Sequence, residues 1–346
     1  MPTKRTTTAA ILEQANRPLV VTEIDVPEPE VGQVLVRIHH SGICGKQIDE
    51  ITGKRPDPYL PHLLGHEAAG TVEAIGPGVR KVGVGDRVVL HWVKGSGIDS
   101  ETPKFVNDGV EINAGFVTTF SQHTVVSENR VTQIPESIPT DVAALLGCAV
   151  TTGFGIIMNN ANVKPGQSVA VFGVGGVGIN VIQAAALVNA HPIIAVDIHQ
   201  DKLEQAKKFG ATHIVDSSKT DPVAAIKELT GGNGADASVD TVGAVPVRVA
   251  AYDSSSNAGT VVFAGVPGGE DRMTVDSFPL HFGRKVVGSH GGDTVPDIDI
   301  PRYARLYELG LIKLDEQISH RFPLSKVNEA VELVRSGDAT RVVLEM

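Results

Sequence analysis

At 346 residues the chain exceeds one ordinary domain, and a prior of about one domain per 150 residues gives two. Hydrophobic residues make up 42% and charged residues 20%, so a core can be built without disulfide or metal staples. The formal charge is −10 with its acidic residues scattered, which excludes the clustered Lys and Arg of a nucleic-acid surface.

The opening, MPTKRTTTAAILEQ, carries two basic residues but no apolar run of the roughly 7–15 residues that an export signal needs. The most apolar window, 142–158, falls short of the ~18 residues of a membrane span and is interrupted by Gly147, Gly153 and Gly155. No membrane segment is expected. Cys44 and Cys148 are the only two cysteines, which excludes a disulfide framework and reads as reduced thiols of a cytoplasmic protein.

In chain order, the first 150 residues read as short strands bounded by Gly and Pro, at 34–38, 70–75 and 86–90. The polar stretch from Val93 to Ala114 breaks this pattern and reads as a lobe or long loop. From about Gly153 strands alternate with helices: a strand at 168–172 and a helix from Gly176, a strand at 193–197 and a helix at 201–209, a strand at 213–215 and a helix at 222–229. Further strands are expected at 237–241, 260–265 and 285–288. Such alternation predicts an α/β unit, a doubly wound parallel sheet with helices on both faces. After about Ser289 a mixed pattern returns, with helices near 302–309 and 325–336. The expected division is 1–152 with 290–346 as one discontinuous domain, and 153–289 as a dinucleotide-binding domain inserted in it.

The insert opens on VAVFGVGGVG, in which Gly173-x-Gly175-x-x-Gly178 (with Gly176 and Val177 between) follows an apolar strand and precedes a helix. Glycines there allow a tight turn and close approach to a pyrophosphate, whose charge sits on the helix N-terminus. The glycines alone are weak evidence. Nineteen residues after Gly178, at the end of the next strand, stands Asp197, where a carboxylate can take the ribose hydroxyls. The same charge repels a 2′-phosphate, and Ile198 and His199 supply no Arg to receive one, so NAD is expected over NADP. Lys202 either covers the adenosine ribose or is a solvated helix lysine.

A second constellation lies outside the insert. Cys44 follows a strand in GICG, His66 sits in GHE before another, and Cys148 closes LLGC. Two thiolates and one imidazole make three protein ligands and leave zinc a fourth, open position. The spacing is weak evidence by itself, because the three come from separate loops.

With these segments the chain resembles the zinc-dependent medium-chain alcohol dehydrogenases nearly end to end. The segments are SGICGKQID, LLGHEAAGTVEAIGPGV, VGDRVV, LLGCAVTTGFG, VAVFGVGGVG, AVDIHQDKLEQAKKFGATHIVD and SGDATRVVL. The resemblance implies a GroES-like, mainly β catalytic domain, a cleft between domains, and one catalytic zinc on Cys44, His66 and Cys148. It implies that Glu67 lies next to the metal and can swing onto it. Thr152 and Val177 are implied at the nicotinamide, Arg341 at the pyrophosphate, and Trp92 either in the substrate channel or in the core. It implies a homodimer or homotetramer, and a reaction in which zinc polarises a small alcohol or carbonyl substrate while nicotinamide carries the hydride.

Four features depart from that family. The stretch 93–114 has no Cys, so a second, structural zinc is not expected. Lys46 stands where a hydroxyl relay is usual, Gln47 where an Asp usually holds the zinc histidine, and Asp49 where a relay histidine is usual. Lys46 then either shuttles a proton with Asp49, binds a polar or anionic substrate group, or turns to solvent. The leading expectation is an NAD-dependent zinc alcohol or polyol dehydrogenase. The alternatives are a zinc-free quinone or enone reductase of the same superfamily and a non-catalytic dinucleotide-binding protein.

Overall fold

The computed structural model describes residues 5–54, 59–269 and 271–346. The first four residues, part of the segment read above for an export signal, lie outside them. The chain forms two compact units. One comprises 1–148, 295–310 and 314–346; the other comprises 149–294 with 311–313. The sequence put the cuts at 152/153 and 289/290, and packing puts them at 148/149 and 294/295.

The first unit is mainly β. Five strands, Thr6–Leu12, Val20–Asp25, Lys104–Asn107, Val110–Asn113 and His62–Leu63, close into a barrel. A second sheet of seven strands is built around Gln33–Gly42, which pairs with Glu67–Ile75, His123–Ser127 and the C-terminal Val342–Glu345. Val34, Val36 and Ile38 enter one apolar cluster, while Leu35 enters another. Covered on both faces, this strand reads as a nearly unbroken apolar run instead of alternating.

The stretch 93–114, expected as a lobe or loop, holds a β-hairpin. Asn107 pairs with Val110, leaving Asp108 and Gly109 as a two-residue turn with φ of 47° and 82°. Asp-Gly at that place is a strong hairpin signal, because both positions need positive φ; the flanking polar residues masked it. The preceding loop is held by two carboxylates. The buried Glu128 carboxylate accepts the backbone N–H groups of Arg80, Lys81 and Ile98, and Asp297 accepts that of Ser96 at 2.6 Å.

Asp297 opens the helix Pro296–Glu308 and also pairs with Lys81. Burial pushes its carboxyl up, but the Lys81 ammonium and the Ser96 N–H outweigh this and bring it down to about 2. A carboxyl lowered on folding stabilises the fold above its unfolded pKa, about 4, and that contribution disappears as pH falls through the folded value. Asp297→Asn is therefore expected to be less stable than wild type at pH 7, with the gap closing between about pH 4 and pH 2. Urea unfolding followed by fluorescence of the single tryptophan, Trp92, which lies in this unit, measures it. An equal gap at pH 7 and pH 2 would refute the assignment.

The second unit is a six-stranded, all-parallel sheet. Its strand order is His213–Asp216, Ile193–Asp197, Val169–Phe172, Ala235–Asp240, Ser255–Phe263, Lys285–Gly288. Written by strand succession this is 3-2-1-4-5-6, the doubly wound order in which a dinucleotide binds beyond the carboxyl ends at the reversal of direction. Helices at Gly176–Leu187, Gln200–Lys208, Pro222–Leu229 and Val245–Asp253 connect the strands. The last of these was not anticipated from VPVRVAAYD, where Pro246 sits in the first helical turn, a place that tolerates proline.

Candidate functional site

Antiparallel pairing builds the first site. Ser41 is opposite Ala68, so the end of Gln33–Gly42 lies beside the start of Glu67–Ile75. Cys44 follows the former and His66 immediately precedes the latter. Cys148 arrives after the short helical turn Leu145–Gly147. A Cβ on Gly147 would lie 2.3 Å from the Leu90 carbonyl oxygen and 2.9 Å from the Glu67 Cβ, so only glycine lets that turn approach the sheet.

The three side chains meet. One donor atom from each of Cys44, His66 and Cys148 lies within 4.8 Å of the others, and among the described residues this is the one His/Cys/Asp/Glu group that could hold a metal. His66 Nε2 is buried and makes no hydrogen bond, while Nδ1 sits 2.7 Å from the Gln47 Nε2. A buried ring nitrogen without a partner, beside two sulfurs, is a costly arrangement unless something binds there, and soft N/S donors suit zinc. The residues fit the ion.

The sulfurs share charge unequally. A hydrogen bond from Cys148 holds the Cys44 thiol well below its ordinary range, against burial and with help from His66 and Arg341. The same hydrogen bond, together with burial, pushes Cys148 well above it. Burial alone lowers the His66 imidazole, but the Cys44 sulfur beside it and the nearby Glu67 outweigh that and raise it.

Glu67 is fully buried and its Oε1 is ion-paired with the Arg341 guanidinium, which also donates to the Ile43 carbonyl at 3.3 Å. Pairing of Val343 with Gly42 carries Arg341, just before the C-terminal strand, to this place. Arg341, expected at a pyrophosphate, is thus buried on Glu67 in this structure.

Lys46 and Asp49 do not pair. Lys46 reaches Glu50 at 2.7 Å, one helical turn on, and Asp49 faces Lys54 at 3.4 Å. The i, i+4 spacing puts Lys46 and Glu50 on one helix face, which gives Lys46 a nearer carboxylate than Asp49. Trp92 is half-buried, with its carbonyl accepting from Arg130.

The second unit carries the glycine-rich turn. Gly173 and Gly175 follow Val169–Phe172, and the helix Gly176–Leu187, with Val177 and Gly178 in its first turn, begins at once. Asp197 ends the neighbouring strand. Its carboxylate accepts the N–H of Val174 at 2.7 Å, of Ile198 at 2.8 Å and of His199 at 3.0 Å. Three backbone donors leave it fixed beside the turn, with one of about four lone-pair directions open. Lys202 is half-buried on Gln200–Lys208, and Thr152 is buried on the helix Ala149–Gly155.

A mainly β unit with this Cys/His/Cys set and a doubly wound unit with a glycine-rich turn define the medium-chain class of dehydrogenases and reductases. Residues 30–136 match the sequence model of the alcohol dehydrogenase GroES-like domain, and residues 176–308 that of the zinc-binding dehydrogenases. An alcohol dehydrogenase zinc-binding domain protein from Burkholderia ambifaria is 30% identical over 99% of both chains, with a TM-score of 0.93. Benzyl alcohol dehydrogenase from Acinetobacter calcoaceticus is 28% identical over 99% of both chains, with a TM-score of 0.91. An alcohol dehydrogenase from a Thermus species is 25% identical over 98% of this chain and 99% of its own, with a TM-score of 0.85. The chain belongs to the zinc-dependent alcohol dehydrogenase family.

Proposed function

We propose that this protein is an NAD-dependent alcohol dehydrogenase with one catalytic zinc and no structural zinc, transferring hydride between a small alcohol or polyol and the nicotinamide. The observation that carries the reading is the buried His66 Nε2, unsatisfied beside two sulfurs, one of them held toward the thiolate. Cys44, His66 and Cys148 would hold the ion, and when bound it supplies Lewis-acid polarisation of the substrate oxygen.

The remaining roles belong to the chain's own groups. Glu67 and Arg341 place a neutral ion pair behind the thiolates, which keeps the carboxylate off the ligand set while the pair is intact. The N-terminus of Gly176–Leu187 offers unsatisfied N–H groups to a pyrophosphate. Asp197 presents a fixed carboxylate for the adenosine ribose. Lys46 is engaged by Glu50, so its charge is partly spent within its own helix; this weakens the case for a lysine dedicated to an anionic substrate. The cytoplasmic homodimer or homotetramer stays part of the reading. Supporting it are Cys44 and Cys148, neither of them in a disulfide, and the exposed sheet-edge strand Lys285–Gly288.

Elemental analysis combined with NADH absorbance over primary, secondary, benzylic and polyhydric alcohols tests the function. One zinc per chain and turnover that stops on chelation are expected. Activity in metal-free protein would favour the quinone or enone reductase instead. NAD binding without turnover across the panel would favour the non-catalytic protein.

The coenzyme preference has its own test. Adding a 2′-phosphate beside Asp197 opposes two charges and displaces a hydroxyl hydrogen bond, at a cost of about 1.5–3 kcal/mol. NAD should therefore be preferred over NADP by at least about one to two orders of magnitude in kcat/KM, and Asp197→Ser should narrow the gap. Equal use of both coenzymes by the wild type would mean that Asp197 does not read the ribose.

A further inference from the structure

Arg130 is 8% exposed, and its guanidinium has no anionic partner among the described residues. Arginine offers five N–H donors, yet the hydrogen bonding of this side chain goes to one acceptor, the Trp92 carbonyl. Other buried charges are matched. Arg341 lies on Glu67 and Asp240 on Arg248, while Arg284, which also lacks a carboxylate, has three backbone carbonyls and the face of Tyr252. A buried, unpaired arginine is rare, because the lost hydration is not replaced.

The nearby charges do not answer it. Burial presses on the charged form of Arg130, and the opposing field comes from Asp99. Both oxygens of Asp99 are engaged, one by Lys94 at 2.6 Å and the other by Asn129 at 3.0 Å. The guanidinium carbon lies 5.1 Å from the centre of the Phe116 ring, whose residue is 69% exposed. Arginine held against an aromatic face keeps its N–H edge for a planar oxyanion, which it can grip through two parallel hydrogen bonds.

Strand pairing sets this cation at the same end of the sheet as the ligand set. Glu67 is opposite His91, so His66 and Trp92 are the next residues outward on two neighbouring strands. Val131 is opposite Leu90, so Arg130 leads into the strand on the far side of Trp92. Its backbone is therefore two inter-strand spacings, about 10 Å, from that of His66.

We propose that Arg130 binds a carboxylate carried by the substrate, so that the enzyme acts on alcohols bearing a carboxylate several bonds from the reacting carbon. The proposal rests on the dehydrogenase reading above and narrows it from alcohols at large to hydroxy acids. The carbinol carbon gives its hydride to the nicotinamide and the hydroxyl gives up a proton. The product is an aldehyde or keto acid with its carboxylate unchanged.

Paired alcohols test it in the zinc-loaded enzyme: para-(hydroxymethyl)benzoate against benzyl alcohol, and omega-hydroxyhexanoate against hexanol. The wild type should favour the carboxylate of at least one pair by about 10–100-fold in kcat/KM, mainly through KM, the usual worth of a hydrogen bond to a charged group. Arg130→Met should remove that preference. The ratio compares two substrates in one protein, so general damage to the variant cancels. No preference in the wild type, or the same ratio in the variant, overturns the proposal.

Binding gives a reading that needs no turnover. Benzoate titrated calorimetrically into both proteins should bind the wild type about tenfold or more tighter than Arg130→Met, whereas equal affinity overturns the anion site. If Arg130→Met does not fold, Arg130→Gln replaces it with the same expectations. If no alcohol is turned over, the dehydrogenase reading fails, while the benzoate titration still decides whether Arg130 holds an anion.

Discussion

Cys44→Ser is expected to lose its zinc and, with it, on the order of a thousandfold or more in kcat/KM. Metal polarisation is worth several kcal/mol, and each 1.36 kcal/mol is a factor of ten. A serine hydroxyl does not ionise near neutral pH, so it is a poor substitute for a thiolate ligand. It is, however, a good substitute in the other role of Cys44, which stands at the N-cap of Gly45–Ile51 in extended conformation. The variant therefore separates loss of metal from loss of fold. Circular dichroism should be unchanged, and the parallel sheet of the second unit contains none of the three donors. Retention of one zinc per chain with wild-type turnover would remove Cys44 from the ligand set.

The second large effect is on stability. Arg341→Met leaves Glu67 fully buried without its guanidinium partner. Removing one member of a buried pair costs about 3–5 kcal/mol, because the remaining charge has neither water nor a counter-ion. Glu67→Gln combined with Arg341→Met removes both charges and should recover much of that loss. Urea unfolding of metal-free protein, read by Trp92, confines the measurement to the unit that contains the pair, which matters because a two-unit chain need not unfold in one step. A loss below about 1 kcal/mol would mean that water reaches the pair and screens it.

Much of the fold was legible in local pattern. The alternation of strands and helices after Gly153 recovers the parallel sheet, since βαβ units repeat one grammar over short distances. The helix Pro222–Leu229 and the strand Lys285–Gly288 fall where the residues predict them. The hairpin at Lys104–Asn113 does not stand out although Asp108-Gly109 announces it, because each of its strands is only four residues long. The C-terminal strand Val342–Glu345 was missed for a different reason. It is four residues long, and one of the two strands it pairs with, Gln33–Gly42, lies some three hundred residues earlier in the chain.

The same distinction runs through the site. Residue types at Cys44, His66 and Cys148, together with the segments around them, determined the family and the ligand chemistry. The glycine-rich turn and Asp197 were likewise readable, because turn, helix start and acid follow one another along a single βαβ unit. Partners were another matter. That Lys46 chooses Glu50 over Asp49 depends on helix rotation. That Arg341 lies on Glu67 depends on a strand pairing that joins the two ends of the chain. That the Gln47 carboxamide has its oxygen toward Cys44 and its nitrogen toward His66 depends on a backbone N–H that can only donate. Sequence determined which donors, acceptors and charges the protein owns. Only tertiary structure decided which of them meet, because hydrogen bonds and ion pairs act over a few ångströms and the residues involved are brought within that range by pairing and packing, not by their order in the chain.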